Sequence, residues 1–174
     1  MTSRCKGAAV VLCLTLMTFG TTAKAENPQV VVSIKPVHSL VSMVLEGITE
    51  PYLIVKGANS PHGYAMRPSD AKALAGARAV FWIGPALETF LTKPLSTLAR
   101  DSRVVALGDD APGETTHDAR KPAEGDGHEH GGIDPHVWLD PSHALEMLEQ
   151  IAETMIDILP AEKARIENNR DHAL

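Results

Sequence analysis

Four short apolar runs, at residues 29–34, 52–55, 79–83 and 104–107, set the strongest limit on what this chain can fold into. The first is β-branched and continuous, which reads as a strand buried on both faces rather than one facing water. Between the runs lie stretches with helical spacing. Pro36 opens one that carries Leu40, Val41, Val44 and Leu45, with Gly47 to end it. Arg67-Pro68-Ser69-Asp70 begins another that continues to about Ala75, and a third spans 87–98, where Pro94 is expected to interrupt it. Short strands alternating with helices of this length predict βαβ units, hence an α/β fold with a parallel sheet flanked by helices on both faces. Binding residues of such a sheet belong in loops beyond the carboxyl ends of its strands. His62 follows the second run and satisfies that rule.

Beyond the fourth run the composition changes. Residues 108–135 are rich in Gly, Asp, Glu, Pro and His and nearly free of apolar side chains. Such a segment buries too little surface to offset its ordering entropy, so a flexible loop is expected. It carries His117, His128 and His130 among acidic residues. Regular structure resumes at Asp140-Pro141, with aspartate as N-cap and proline at the first helical position. Leu145, Leu148, Ile151, Ala152, Met155 and Leu159 form one predicted apolar stripe, which Pro160 ends. Residues 161–174 read as a second, highly charged helix that the sequence leaves without a terminating signal.

The N-terminus has the character of an export leader. Arg4 and Lys6 precede an apolar stretch over 8–19, and Ala23-Lys24-Ala25 places small residues where a signal peptidase reads them. The stretch is too short to span a bilayer. Residues 1–25 are therefore expected to be removed, leaving 26–160 as one lobe and 161–174 as the start of a further helix. Both cysteines, Cys5 and Cys13, leave with the leader, so no disulfide or thiolate metal site is expected. The leader also takes Arg4, Lys6 and Lys24 and no acid, and the remaining chain carries a net charge of about −9. That balance repels phosphate backbones and anionic lipid, which argues against nucleic-acid partners and against membrane insertion after cleavage.

Two histidines stand out, His62 in Ser60-Pro61-His62-Gly63-Tyr64 and His136 in Asp134-Pro135-His136-Val137-Trp138-Leu139-Asp140-Pro141. With the Gly127-His128-Glu129-His130-Gly131-Gly132 cluster they suggest a transition-metal site, since neutral imidazole suits zinc, copper, nickel or iron and not magnesium or calcium. His62 and His136 are the candidate primary ligands, and His117, His128 and His130 are candidate weaker, exchangeable ones. Glu88, Asp134 and Asp140 are candidate outer partners that would accept the second ring N–H of a ligating imidazole. For Asp140 a helix cap is the stronger reading, and for Glu88 a solvated helix start competes evenly. His38, His143 and His172 read as structural or solvated, Trp82 and Trp138 as packing residues, and Arg67 and Asp70 as shaping a helix start.

Taken in order, Val31-Val32-Ser33-Ile34-Lys35-Pro36, His62 with Arg67-Pro68-Ser69-Asp70, Trp82-Ile83-Gly84-Pro85 with Glu88, the acidic histidine-rich loop and the 134–141 segment make this chain resemble a known family. It is similar to the periplasmic zinc-binding component of bacterial ABC zinc uptake systems, a metal-specific class of solute-binding protein. The resemblance covers nearly all of 26–174. It implies two similar α/β lobes joined by a long helix, with Zn2+ held between them for delivery to a membrane ABC permease, in the periplasm and without enzymatic activity. It implies that this chain supplies the first lobe and the start of the joining helix. The second lobe, which in the family brings a third histidine and a carboxylate, has no counterpart here. Pro61 stands where zinc-binding relatives often carry a glutamate, so ligation from that position is lost. The protein is expected to act as a monomer. Three alternatives remain open: a truncated lobe that binds metal weakly, a manganese-binding relative, and a periplasmic zinc hydrolase. The hydrolase is disfavoured because a catalytic zinc needs three fixed protein ligands and an open water, which His128-Glu129-His130 in a loose loop does not offer.

Overall fold

The computed structural model describes residues 29–108 and 135–174. The expected leader at 1–25, the loop histidines His117, His128 and His130, and Asp134 lie outside the described residues. The chain runs β1 (Val30–Val32), α1 (Lys35–Val44), β2 (Tyr52–Leu53), α2 (Pro68–Ala75), β3 (Ala79–Trp82), α3 (Thr89–Leu98), β4 (Arg103–Ala106), α4 (Pro141–Ile158) and α5 (Lys163–Ala173). Single 3-10 turns occur at Pro61–Gly63, Val137–Leu139 and Pro160–Glu162. The four strands are all parallel in the order β2-β1-β3-β4.

That order follows from handedness. A right-handed crossover from β1 to β2 puts α1 on one face, and the reversed direction from β2 to β3 and β4 puts α2 and α3 on the other. Packing agrees: α1 contacts α4 and α5, while α2 contacts α3. Every residue of β1 and β3 is buried, as expected of strands covered on both sides. The order of connection reverses at β1, with β2 added on one side and β3 on the other, which favours a crevice at the carboxyl ends beside β1.

Local chemistry explains the helix starts. Pro36, Pro68 and Pro141 each sit in a first turn, where their missing N–H costs nothing. Asp140 caps α4 by accepting from Ser142 N at 2.8 Å. Its replacement by alanine removes that cap and should lower the melting temperature by about 2–4 °C in a thermal scan. Two expectations need correction. Helix α3 runs through Pro94 without interruption, because Leu91 and Leu95 on either side are both buried and hold the turn in place. In the α4 stripe, Leu145 is 45% exposed, and Met147 takes the buried place beside Leu148.

Helix α5 is tied to α1. Asn169 Nδ2 donates to the carbonyls of Val44 and Glu46, both at 3.0 Å, and Arg165 Nη1 donates to Gly47 O at 2.9 Å. They satisfy the carbonyl of the last residue of α1 and two in the turn that follows it. Ile166 is fully buried beneath the same contact. Among the described residues no helix is long and apolar enough to cross a membrane.

Candidate metal centre

The crevice at the carboxyl ends of β1 and β2 holds both singled-out histidines. His62 lies in the 3-10 turn that follows β2, where Ser60 Oγ accepts from its backbone N–H at 3.3 Å. His136 precedes the turn Val137–Leu139 that leads into α4. Far apart in sequence, the two imidazoles come within 6.1 Å between ring centres, tilted by 60°. Two imidazoles on a tetrahedral zinc, each bound through nitrogen at roughly 2.0–2.1 Å, would have ring centres about 5 Å apart. The pair is thus about 1 Å wider than a closed chelate, within reach of a side-chain adjustment. Trp138 stands edge-on to His136 at 5.2 Å and limits the swing of that ring.

The rings line a cleft of about 330 Å³ with Lys35, Asn59, Ser60 and Trp138. Among the described residues no carboxylate lines it. Among the described residues no group of three or more His, Cys, Asp or Glu is placed to hold a metal ion. Two imidazoles could supply two of the four donors of a tetrahedral site.

Glu88 is neither a solvated helix start nor turned toward the imidazoles. It is fully buried. Its carboxylate accepts from Ser33 Oγ at 2.5 Å and from the backbone N–H groups of Ile83 and Gly84 at 2.9–3.2 Å. It thereby ties together the chain leaving β1 and the chain leaving β3, next to the crevice. Asp140 serves as the α4 cap.

A second buried acid, Asp70, was visible in the sequence only as part of a helix start. Its carboxylate accepts from Arg67 N, Tyr52 OH and Tyr64 OH, each at 2.9 Å, and from Arg67 Nε at 3.4 Å. The tyrosines escaped notice because their hydroxyls meet Asp70 only after β2 and α2 pack. An acid at the third position of a proline-opened helix was the available signal, since that carboxylate reaches back to the cap N–H.

The two acids titrate in opposite senses. Burial pushes the Glu88 carboxyl above the ordinary glutamate value, although its hydrogen bonds from Ser33, Gly84 and Ile83 oppose the shift. Burial also acts to raise Asp70, but the hydrogen bonds from Arg67, Tyr52 and Tyr64 outweigh it and hold that carboxyl below the ordinary aspartate value. Native Glu88 binds its proton more tightly than the unfolded chain does. Its contribution to stability therefore falls as pH rises from the ordinary glutamate pKa through the raised one, and is level above that. Asp70 contributes fully above the ordinary aspartate pKa and loses that contribution as pH drops through its lowered value. Urea midpoints measured across acid and neutral pH should show Glu88→Gln removing the first slope and Asp70→Asn removing the second.

Residues 30–174 match the family model described as zinc-uptake complex component A, periplasmic (ZnuA). The chain belongs to this family. The high-affinity zinc uptake system protein ZnuA of Brucella abortus is 39% identical over 184 residues, an alignment covering 86% of this chain and 55% of the relative. The protein of the same name from Yersinia pestis is 32% identical over 158 residues, covering 80% and 49%. The chain spans about half the length of the curated relatives it matches. Among solved structures, the Zn(II)-bound ZnuA-like domain of Streptococcus pneumoniae AdcA superposes with a TM-score of 0.67 at 22% identity, over 84% of this chain and 50% of that one. A Mn-bound periplasmic metal-binding protein from Candidatus Liberibacter asiaticus gives 0.66 at 18%, over 83% and 51%. At these identities the structures establish the fold: a parallel four-stranded sheet flanked by helices, as in one lobe of such proteins.

Proposed function

We propose that this chain is the first lobe of a periplasmic zinc-binding protein that captures Zn2+ and passes it to a membrane ABC permease. The observation that carries the reading is the approach of His62 and His136 to 6.1 Å at the carboxyl end of the sheet. Family membership supports the same role, a binding component of an uptake system and not an enzyme. The relatives' names support zinc as the cargo, and the family's description supports the periplasm. Both imidazoles bind as neutral donors, and among the described residues the cleft brings Lys35 but no carboxylate. The remaining ligands must therefore bring the negative charge that balances a divalent cation. A second lobe, for which the longer relatives have room, is the proposed source of an added histidine and a carboxylate, with Asp134 a proposed outer partner. The loop histidines His117, His128 and His130 are proposed as weaker sites that feed the cleft.

Titrating the metal-free chain with zinc and with manganese tests the assignment. Zinc is expected to bind more tightly, because manganese prefers more oxygen donors than a two-imidazole site offers. Equal or tighter manganese binding that depends on His62 and His136 would overturn it.

A further inference from the structure

We propose that Asp70 is a positioning residue for the cation site, acting through two tyrosines that fasten both ends of the His62 loop. The inference rests on the zinc-binding role just proposed and concerns residues that the family assignment leaves without one. The loop carrying His62 leaves β2 at Ile54 and returns to α2 past Tyr64. His62 itself is exposed, in a single 3-10 turn where the Ser60 hydroxyl accepts from its backbone N–H. A second set of contacts fastens the loop from underneath. Tyr52, in β2 before the loop, donates its hydroxyl to Asp70 Oδ1 at 2.9 Å. Tyr64, two residues past His62, reaches Asp70 Oδ2 at 2.9 Å, with Ile54 O at 3.0 Å as a second acceptor for the same hydrogen. Arg67 Nη2 donates to that Ile54 carbonyl at 3.3 Å. One fully buried carboxylate thus closes the loop at entry and exit.

The tyrosines are themselves held. Lys56 Nζ sits 4.3 Å above the Tyr52 ring, and the Tyr64 ring packs against Phe90 at 5.1 Å. Positioning matters here because the imidazole pair is already slightly wide of a closed chelate. Added freedom at His62 costs ordering entropy on each binding event. Outer partners of metal ligands typically contribute ten- to a hundredfold in affinity. Acting through the backbone rather than on the ring, the Tyr64 hydroxyl belongs at the low end of that range.

The test is zinc affinity of the chain, measured by competition with a chromophoric chelator, for Tyr64→Phe, Tyr52→Phe and Asp70→Asn. Cobalt absorption reports the donor set. Tyr64→Phe removes one oxygen atom and should weaken zinc binding about tenfold with the cobalt spectrum unchanged. Tyr52→Phe should weaken it less, and Asp70→Asn at least as much as Tyr64→Phe wherever that variant folds. Ser102→Ala is the control. Its hydroxyl donates to Ala77 O at 2.7 Å, away from the cleft, so it should lower stability and leave affinity alone. If both tyrosine variants bind zinc as the parent does while His62→Ala does not, the positioning role is wrong and the zinc site stands. If affinity tracks stability in every variant, Ser102→Ala included, the positioning role is also wrong. If His62→Ala binds as the parent does, the site and the positioning role fall together.

Discussion

Replacing either His62 or His136 with alanine is expected to lower zinc affinity about a hundredfold or more, since losing a ligand should cost at least as much as losing its outer partner. A hundredfold corresponds to about 2.8 kcal/mol. The stronger diagnostic is the double variant. If both rings, 6.1 Å apart, grip one cation, removing the first leaves the second as a lone, weak ligand. The double loss should then exceed the single loss only slightly, a coupling that independent sites cannot produce. Calorimetric titration of the four proteins closes the cycle. Losses that multiply as though the rings never met would mean that each histidine serves a separate ion, and the shared site would be abandoned.

Glu88→Ala should be strongly destabilising, by about 3 kcal/mol or more. The substitution leaves the Ser33 hydroxyl and the N–H groups of Ile83 and Gly84 without their acceptor in a fully buried place. Each stranded donor costs about 1–3 kcal/mol. Glu88→Gln keeps one carbonyl acceptor and nearly the same volume, so its cost should be much smaller. Urea unfolding followed by circular dichroism separates the two. An alanine variant as stable as the glutamine one would show that the carboxylate's hydrogen bonds carry little net stability.

Glu88 also marks where sequence reading gives out. The alternation of short apolar runs with helical stretches was enough to foresee a parallel sheet, because period and length are local properties of the chain. The strand positions came within a residue or two, and His62 and His136 stood out as candidates from their flanking prolines and from the family resemblance around each. What the sequence concealed was partnership across distance. An acid after Gly84-Pro85 looks like any solvated helix start until the turn folds back and aims two strand-end N–H groups at it. Tyr52 and Asp70 lie on different elements, and their hydrogen bond appears only once β2 lies beside α2. Leu145 misled for a related reason: helical spacing identifies an apolar face but not how far toward the helix end the neighbouring layer reaches. Pro94 misled because the ring's local penalty was outweighed by the burial of Leu91 and Leu95.

The grip of Asn169 and Arg165 on the end of α1 has a mechanical consequence. Three hydrogen bonds and a buried isoleucine at the root leave α5 little room to swivel. Force applied at the far end of α5 would be carried as by a clamped lever into α1, whose opposite end opens at the histidine cleft, instead of being lost in a slack joint.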